Sequence, residues 1–310
     1  MNNNRVINFI LISIVIINVF LGFVNPAYAF DNEQINELFT QNKCVNCDFS
    51  QHNFSAKPLN FNNVQSLNLN NANIQKCECY QSNFSNLSLN NANLSNSNLI
   101  QANLSNTDAT KINLSNCKLN KANLNHAEMS QGNFSNSDLS SANLSGVQFY
   151  HANMKKANLS KANLTQSYLK EVNLYGANLA YADLSKSILY SGKKTTNLRS
   201  VNLKNANLSD ADLTGVDLSK SILVQANLTN TNLNKASLTK ADLDKANLTN
   251  ANLTNSNLKN STFSNALLVN ANLSNANLKK ANLRGANITG AIFDNANLKG
   301  AIMPDGSIHE

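Results

Sequence analysis

Ala92-Asn93-Leu94-Ser95-Asn96-Ser97-Asn98-Leu99-Ile100-Gln101-Ala102-Asn103-Leu104 decides the fold of this 310-residue chain. One five-residue phrase, commonly Ala-Asn-Leu-x-x, recurs from about Cys44 to Met303. A period of five is neither the two of a plain strand nor the 3.6 of a helix. On a helix five residues advance roughly 500°, a net ~140°, so the leucines would spiral over every face. Each phrase therefore reads as a short strand and a corner. Alternation turns Ala and Leu inward and Asn outward, and the last two residues turn the chain.

Sorting the middle residues by twenty gives the number of sides. One set runs Asn53, Asn73, Asn93, Asn113, Asn133, Asn153 and Asn173 without a break. A second set, from Asn63 through Asn163, is all Asn and ends in Asp183. A third diverges: Asp48, Asn68, Ser88, Asp108, Glu128, Gln148, Tyr168, Ile188. A twenty-residue superperiod means four sides of five residues, a square coil of the β-helix type. Residues 44–303 would form about thirteen coils, a rod roughly 60 Å long at one strand spacing per coil.

At this point the chain resembles the pentapeptide repeat family, over nearly all of its length after the first few dozen residues. The resemblance implies an all-β, right-handed quadrilateral β-helix; the hand comes from the family, not from the period.

Residues 1–29 read as a secretory signal. Arg5 supplies the positive n-region, Ile7 to Val24 is apolar, and Ala27-Tyr28-Ala29 fits the small-x-small cleavage rule. Asn18 interrupts a run that a membrane anchor would keep apolar for about 20 residues, and no later segment could span a membrane. Cleavage removes Arg5 from 25 Lys and Arg against 18 Asp and Glu, leaving +6. Residues 30–43 read as an N-terminal capping helix, with Asp31 as N-cap, Gln34 three residues on, and Ile35, Leu38 and Phe39 as its apolar stripe. At the other end, within 304–310, Pro304-Asp305-Gly306 is a turn signal that stops the last strand. Both ends, Cys44-x-x-Cys47-Asp48-Phe49 and Met303 to His309, resemble exported pentapeptide proteins of photosynthetic bacteria. That resemblance sets the thylakoid lumen beside the periplasm as a destination.

Chemistry finds little support. Cys44, Cys47, Cys77, Cys79 and Cys117 all fall on inward positions and read as small core residues. A Cys44–Cys47 disulfide could tighten the cap in an oxidising compartment. A Cys77–Cys79 bridge is disfavoured, because residues two apart on an extended strand sit near the ~6.8 Å upper limit for bridged Cα atoms. Zinc is disfavoured too, since inward thiols lack histidines beside them. The four histidines, His52, His126, His151 and His309, are scattered and give no serine a base. No Gly-rich phosphate loop is present, no cofactor is expected, and the chain reads as no enzyme. The outward positions show no regular Thr column of the kind an ice-binding surface would carry.

Some members of the family mimic DNA and occupy the gyrase groove. Mimicry of a polyanion needs an acidic surface, and this chain is basic and carries an export signal. Direct nucleic-acid binding fits the charge, but the lysines read as dispersed over corners rather than clustered.

One irregularity breaks the repeat. The leucine spacing is five until Leu189 and then nine to Leu198, so residues 190–196 hold a four-residue insertion at a corner. It carries Lys193 and Lys194 and leaves the divergent side, where Tyr150, Tyr168, Ile188 and Tyr190 face outward. Exposed aromatics beside a basic loop have the character of a protein-binding patch; the alternative is a cross-strand stack that only stabilises its strands. The reading is an exported, non-catalytic scaffold or protein-binding solenoid with that contact zone. A gyrase-binding protein is the runner-up, and a thiol oxidoreductase acting through Cys44 and Cys47 stands third.

Overall fold

The computed structural model describes residues 43–45, 53–54, 63–65, 68–190 and 196–310. Two three-residue strands, β1 (Lys43–Val45) and β2 (Asn63–Gln65), pair in parallel with Lys43 opposite Asn63. Lys43, expected to end the capping helix, is thus already part of the coil pairing. Residues 1–29, the rest of the 30–43 helix, Cys47, His52, Lys193 and Lys194 lie outside the described residues, as does the side chain of Cys44.

Beyond β2 each side of the coil is a single parallel bridge, joined to the equivalent residue twenty positions on. Side one runs through Asn73, Asn93 and Asn113; side two through Glu78, Asn98 and Lys118. Side three runs through Asn83, Asn103 and Asn123, and side four through Asn68, Ser88 and Asp108. The register becomes twenty-four at Asn173↔Asn197, Asn178↔Asn202, Asp183↔Asn207 and Ile188↔Asp212, then returns to twenty at Asn197↔Asp217. Four extra residues therefore leave the coil at one corner without disturbing the four sides after it.

One phrase shows why so short a unit can stack. Buried or half-buried backbone groups must find partners, and all five N–H groups of residues 92–96 do. Ala92 N–H closes the preceding corner on Leu89 O at 3.0 Å, and Asn93 N–H reaches down to Ala72 O at 2.9 Å. Leu94 and Asn96 N–H reach up to Asn113 O and Ser115 O at 2.8 and 2.9 Å. The fifth, Ser95 N–H, donates to the Asn93 side-chain oxygen at 3.1 Å. That last bond is an Asx turn, and it explains the choice of Asn at the middle position.

The same asparagines bond to one another between coils. Asn113 Nδ2 donates to Asn93 Oδ1 at 3.0 Å, and Asn133 and Asn153 extend the ladder at 3.3 and 3.2 Å. The final residue of each phrase takes a left-handed backbone, for example Asn96 at φ 62° and Lys156 at φ 58°. Asn accepts that conformation readily; Lys is held there because its N–H also bonds to the next coil.

The interior is a continuous stack of fully buried Leu, Ala and Phe, with Phe134 and Phe149 meeting edge to face at 5.2 Å. Where Ser or Thr replaces the inward Ala, its hydroxyl usually bonds a leucine carbonyl, as Ser221 does to Leu218 O at 2.6 Å. The last coil is only partly covered, with Ile288, Phe293 and Leu298 half-buried. After Met303 the chain turns, Gly306 N–H bonding Met303 O, and Ile308 pairs antiparallel with Ile302 across one side.

One expectation is overturned. Cys77 and Cys79 are fully buried and disulfide-bonded, with Cα atoms 5.4 Å apart. A straight strand would separate them by about 6.6 Å. Each side here is one bridge between two corners, and its curvature draws the two inward residues well inside the bridging range.

Candidate interaction surface

Side four departs from asparagine where the coil is interrupted. Gln148, Tyr168 and Ile188 are successive bridge partners, so their side chains point outward one coil apart. Tyr150 and Lys170 occupy the adjoining corner in successive coils, joined through the bonds Gln131 N–H to Tyr150 O and His151 N–H to Lys170 O. The structure brings Tyr150 and Tyr168 together, ring centroids 6.2 Å apart and tilted by 38°. Lys170 Nζ sits 5.8 Å from the Tyr150 centroid, a cation–π contact. Burial, then the neighbouring Tyr168 and Glu128, push the Tyr150 phenol pKa above its ordinary value, so the hydroxyl stays protonated at neutral pH. Tyr168 is 37% exposed and Tyr190 43%, while Tyr150 and Ile188 are half-buried.

The floor beneath this surface is unusual. Ser167 and Ser187 are fully buried, stacked one coil apart, and their hydroxyls have no hydrogen-bond partner. Thr196, also fully buried, anchors the chain as it returns from the insertion. Its Oγ1 lies 2.9 Å from Leu169 O and 2.5 Å from Leu189 O, and accepts from Glu171 N–H at 3.1 Å. His151 Nδ1 is 3.1 Å from the Glu171 carboxylate at the border.

The lysines are not dispersed, contrary to the sequence reading. At the corner between sides one and two, backbone bonds stack Lys156 on Tyr175, Gly176 on Arg199, Lys220 on Thr239, Lys240 on Lys259 and Lys280 on Lys299. From Lys155 to Gly300 this corner holds no Asp or Glu. Its charged side chains are exposed apart from half-buried Lys279. Asp217, on side one, pairs with Arg199 at 3.6 Å. Tyr175 fills one level of the edge, with Lys155 Nζ 5.8 Å above its ring. The diagonally opposite corner, from Thr165-Gln166 to Thr289-Gly290, carries only Lys186 and Asp210. Read at a period of five, all corners look alike. Sorting by twenty, with four added after Tyr190, would have separated them.

Two family models match the chain. One, the pentapeptide repeat region, covers residues 110–179 and 196–273; the other, pentapeptide repeats in eight copies, covers 65–99, 77–116 and 266–303. The chain belongs to the pentapeptide repeat family. Among solved structures it is similar to HetL, a pentapeptide repeat protein involved in heterocyst differentiation regulation from the cyanobacterium Nostoc sp. strain PCC 7120. The identity is 33% over 75% of this chain and 94% of that one, with a TM-score of 0.41. A pentapeptide repeat protein of the Arabidopsis thaliana thylakoid lumen is 32% identical over 36% of this chain and 72% of its own, TM-score 0.20. QnrB1, a plasmid-mediated fluoroquinolone resistance protein, is 18% identical over 74% and 91%, TM-score 0.30. No curated protein matches.

In this pentapeptide repeat protein the remaining thiol with a described side chain is inert. Cys117 is buried, donates to Leu94 O at 3.0 Å, and has its pKa pushed up to about 11 by burial. His126 lies against Gly146 on the corner between sides three and four, and His309 lies in the tail. Among the described residues no helix is long and apolar enough to cross a membrane.

Proposed function

We propose that this pentapeptide repeat protein is an exported, non-catalytic scaffold, a right-handed square β-helix of about thirteen coils whose interrupted side binds a partner protein. Residues 1–29 direct export to the periplasm or the thylakoid lumen, and residues 30–42 cap the first coil, which the pairing of Lys43 with Asn63 has already begun. The contact zone is Tyr150, Tyr168, Ile188, Tyr190, Lys193 and Lys194.

The observation carrying this reading is the Tyr150–Tyr168 pair at 6.2 Å, standing on a side whose buried Ser167 and Ser187 have no partners. A purely structural side would be expected to keep the asparagine ladder of side one, which satisfies its own polar groups. From Gln148 to Ile188 side four forgoes that ladder and presents aromatic surface instead, the residue type enriched at interfaces. The lysine edge speaks against mimicry of a polyanion, which needs the opposite charge.

Affinity capture with the mature chain tests the proposal, comparing wild type with Tyr168→Ala and with Lys193→Glu/Lys194→Glu. Loss of the same captured protein in both variants, with unchanged circular dichroism, supports the zone. An unchanged set of captured proteins makes it structural only.

A further inference from the structure

We propose that the lysine edge between sides one and two binds a linear acidic polysaccharide, a chain carrying about one carboxylate or sulfate per sugar. The surface is distinct from the aromatic zone, which lies across side one from it.

Its geometry is one-dimensional. Cations recur on a straight corner through Lys156, Arg199, Lys220, Lys240, Lys259 and Lys280, and the backbone bonds between coils fix each level to the next. The levels are one strand spacing apart, about 4.8 Å, which is shorter than the ~8 Å screening length at physiological salt. Neighbouring levels therefore act on a ligand together, although any single exposed pair contributes little.

The spacing selects among polyanions. Duplex DNA carries one charge per ~1.7 Å of axis, about three for every level of this edge, so the two charge spacings do not match. A lipid surface is planar and would be met by charge spread over a whole side, yet the flanking sides are mainly asparagine with Asp217 and Asp242 among them. A sugar unit is about as long as one coil is tall, so a polymer with one anion per sugar meets the edge step for step.

Two neighbouring features suit sugar in particular. Tyr175 is 41% exposed within the edge and offers a ring face for a pyranose to lie against. On side one Asn153 and Asn197 each use one amide hydrogen for a neighbouring asparagine, Asn197 donating to Asn173 at 3.4 Å. An amide has two donors, and the second is left for a hydroxyl.

The test is binding of the purified mature protein to polygalacturonate, with Lys220→Glu/Lys240→Glu/Lys259→Glu as the edge variant. Lys121→Glu/Lys161→Glu/Lys245→Glu, on the next corner, is the charge-matched control. Lys→Gln versions of both sets replace any Glu set that fails to fold by circular dichroism. The edge variant should lose affinity by about tenfold or more while the control stays within about twofold, with wild-type binding weakening as salt rises. Tyr175→Ala should weaken binding as well. Absence of wild-type binding, or equal loss in both triple variants, overturns the proposal. So does tighter edge-dependent binding to a single-stranded oligonucleotide or to vesicles of anionic phospholipid.

Discussion

Asn153 donates its side-chain amide to the side-chain oxygen of Asn133, twenty residues earlier, at 3.2 Å. Asn133 in turn donates to Asn113 and also accepts the backbone N–H of Ser135. The Ser135 hydroxyl donates to the same oxygen at 2.8 Å, so replacing Asn133 by Ala removes four hydrogen bonds and leaves Ser135 N–H without its acceptor. At about 0.5–1.5 kcal/mol net per bond, and with water replacing part of what is lost, the variant should be destabilised by about 1–3 kcal/mol in urea unfolding. A change within error of zero would show that the ladder decorates the coil without holding it.

Leu159 is fully buried at the centre of the stack. Leu159→Ala should cost about 2–5 kcal/mol through lost transfer energy and the cavity left behind. Coils touch only their neighbours, so hydrogen exchange should rise in the coils around residue 159 and stay unchanged near residue 270. Uniform loss of protection along the chain would contradict that locality.

Gly215 isolates the backbone cost of a corner. It sits at φ +67° with nothing within 4 Å of where a Cβ would stand. Gly215→Ala should therefore destabilise by about 1 kcal/mol from conformation alone, whereas Gly215→Asn should be nearly neutral because Asn tolerates this region. Equal effects of the two substitutions would rule out backbone strain as the cause.

Cys117 gives a pH dependence. Its thiol pKa is raised by burial from 9.0 to about 11 in the folded state. The folded thiol thus keeps its proton after the unfolded one has ionised. Its contribution to stability is full below pH 9 and is lost as pH rises from 9 to about 11. Wild type should lose more stability than Cys117→Ala across that window. At pH 8 the folded thiolate fraction is on the order of 10⁻³, so iodoacetamide should label Cys117 only after unfolding. Rapid labelling of the native protein would contradict its burial.

Four sides of five residues were legible in the sequence, because the inward Ala and Leu and outward Asn obey one period along the whole chain. The aromatic column from Tyr150 to Tyr190 could also be placed, since the twenty-residue sort holds up to the insertion. Two features were missed. Cys77 and Cys79 looked too far apart because spacing along a straight strand says nothing of the curvature between two corners. The lysine edge looked like scattered charge because Lys156 and Lys240 fall on one corner only after the twenty-four-residue step at Asn173↔Asn197 is counted. Pairing register, rather than local pattern, carries that information.

Site-specific photo-cross-linking tests the central claim most directly. A photoreactive phenylalanine analogue at position 168 of the mature chain, on the interrupted side, is compared in cell extract with the same group at position 113, on the asparagine ladder. The account predicts a discrete adduct from position 168, lost on Tyr150→Ala substitution and missing from position 113. Equal adducts from both positions, or none from 168, would contradict it.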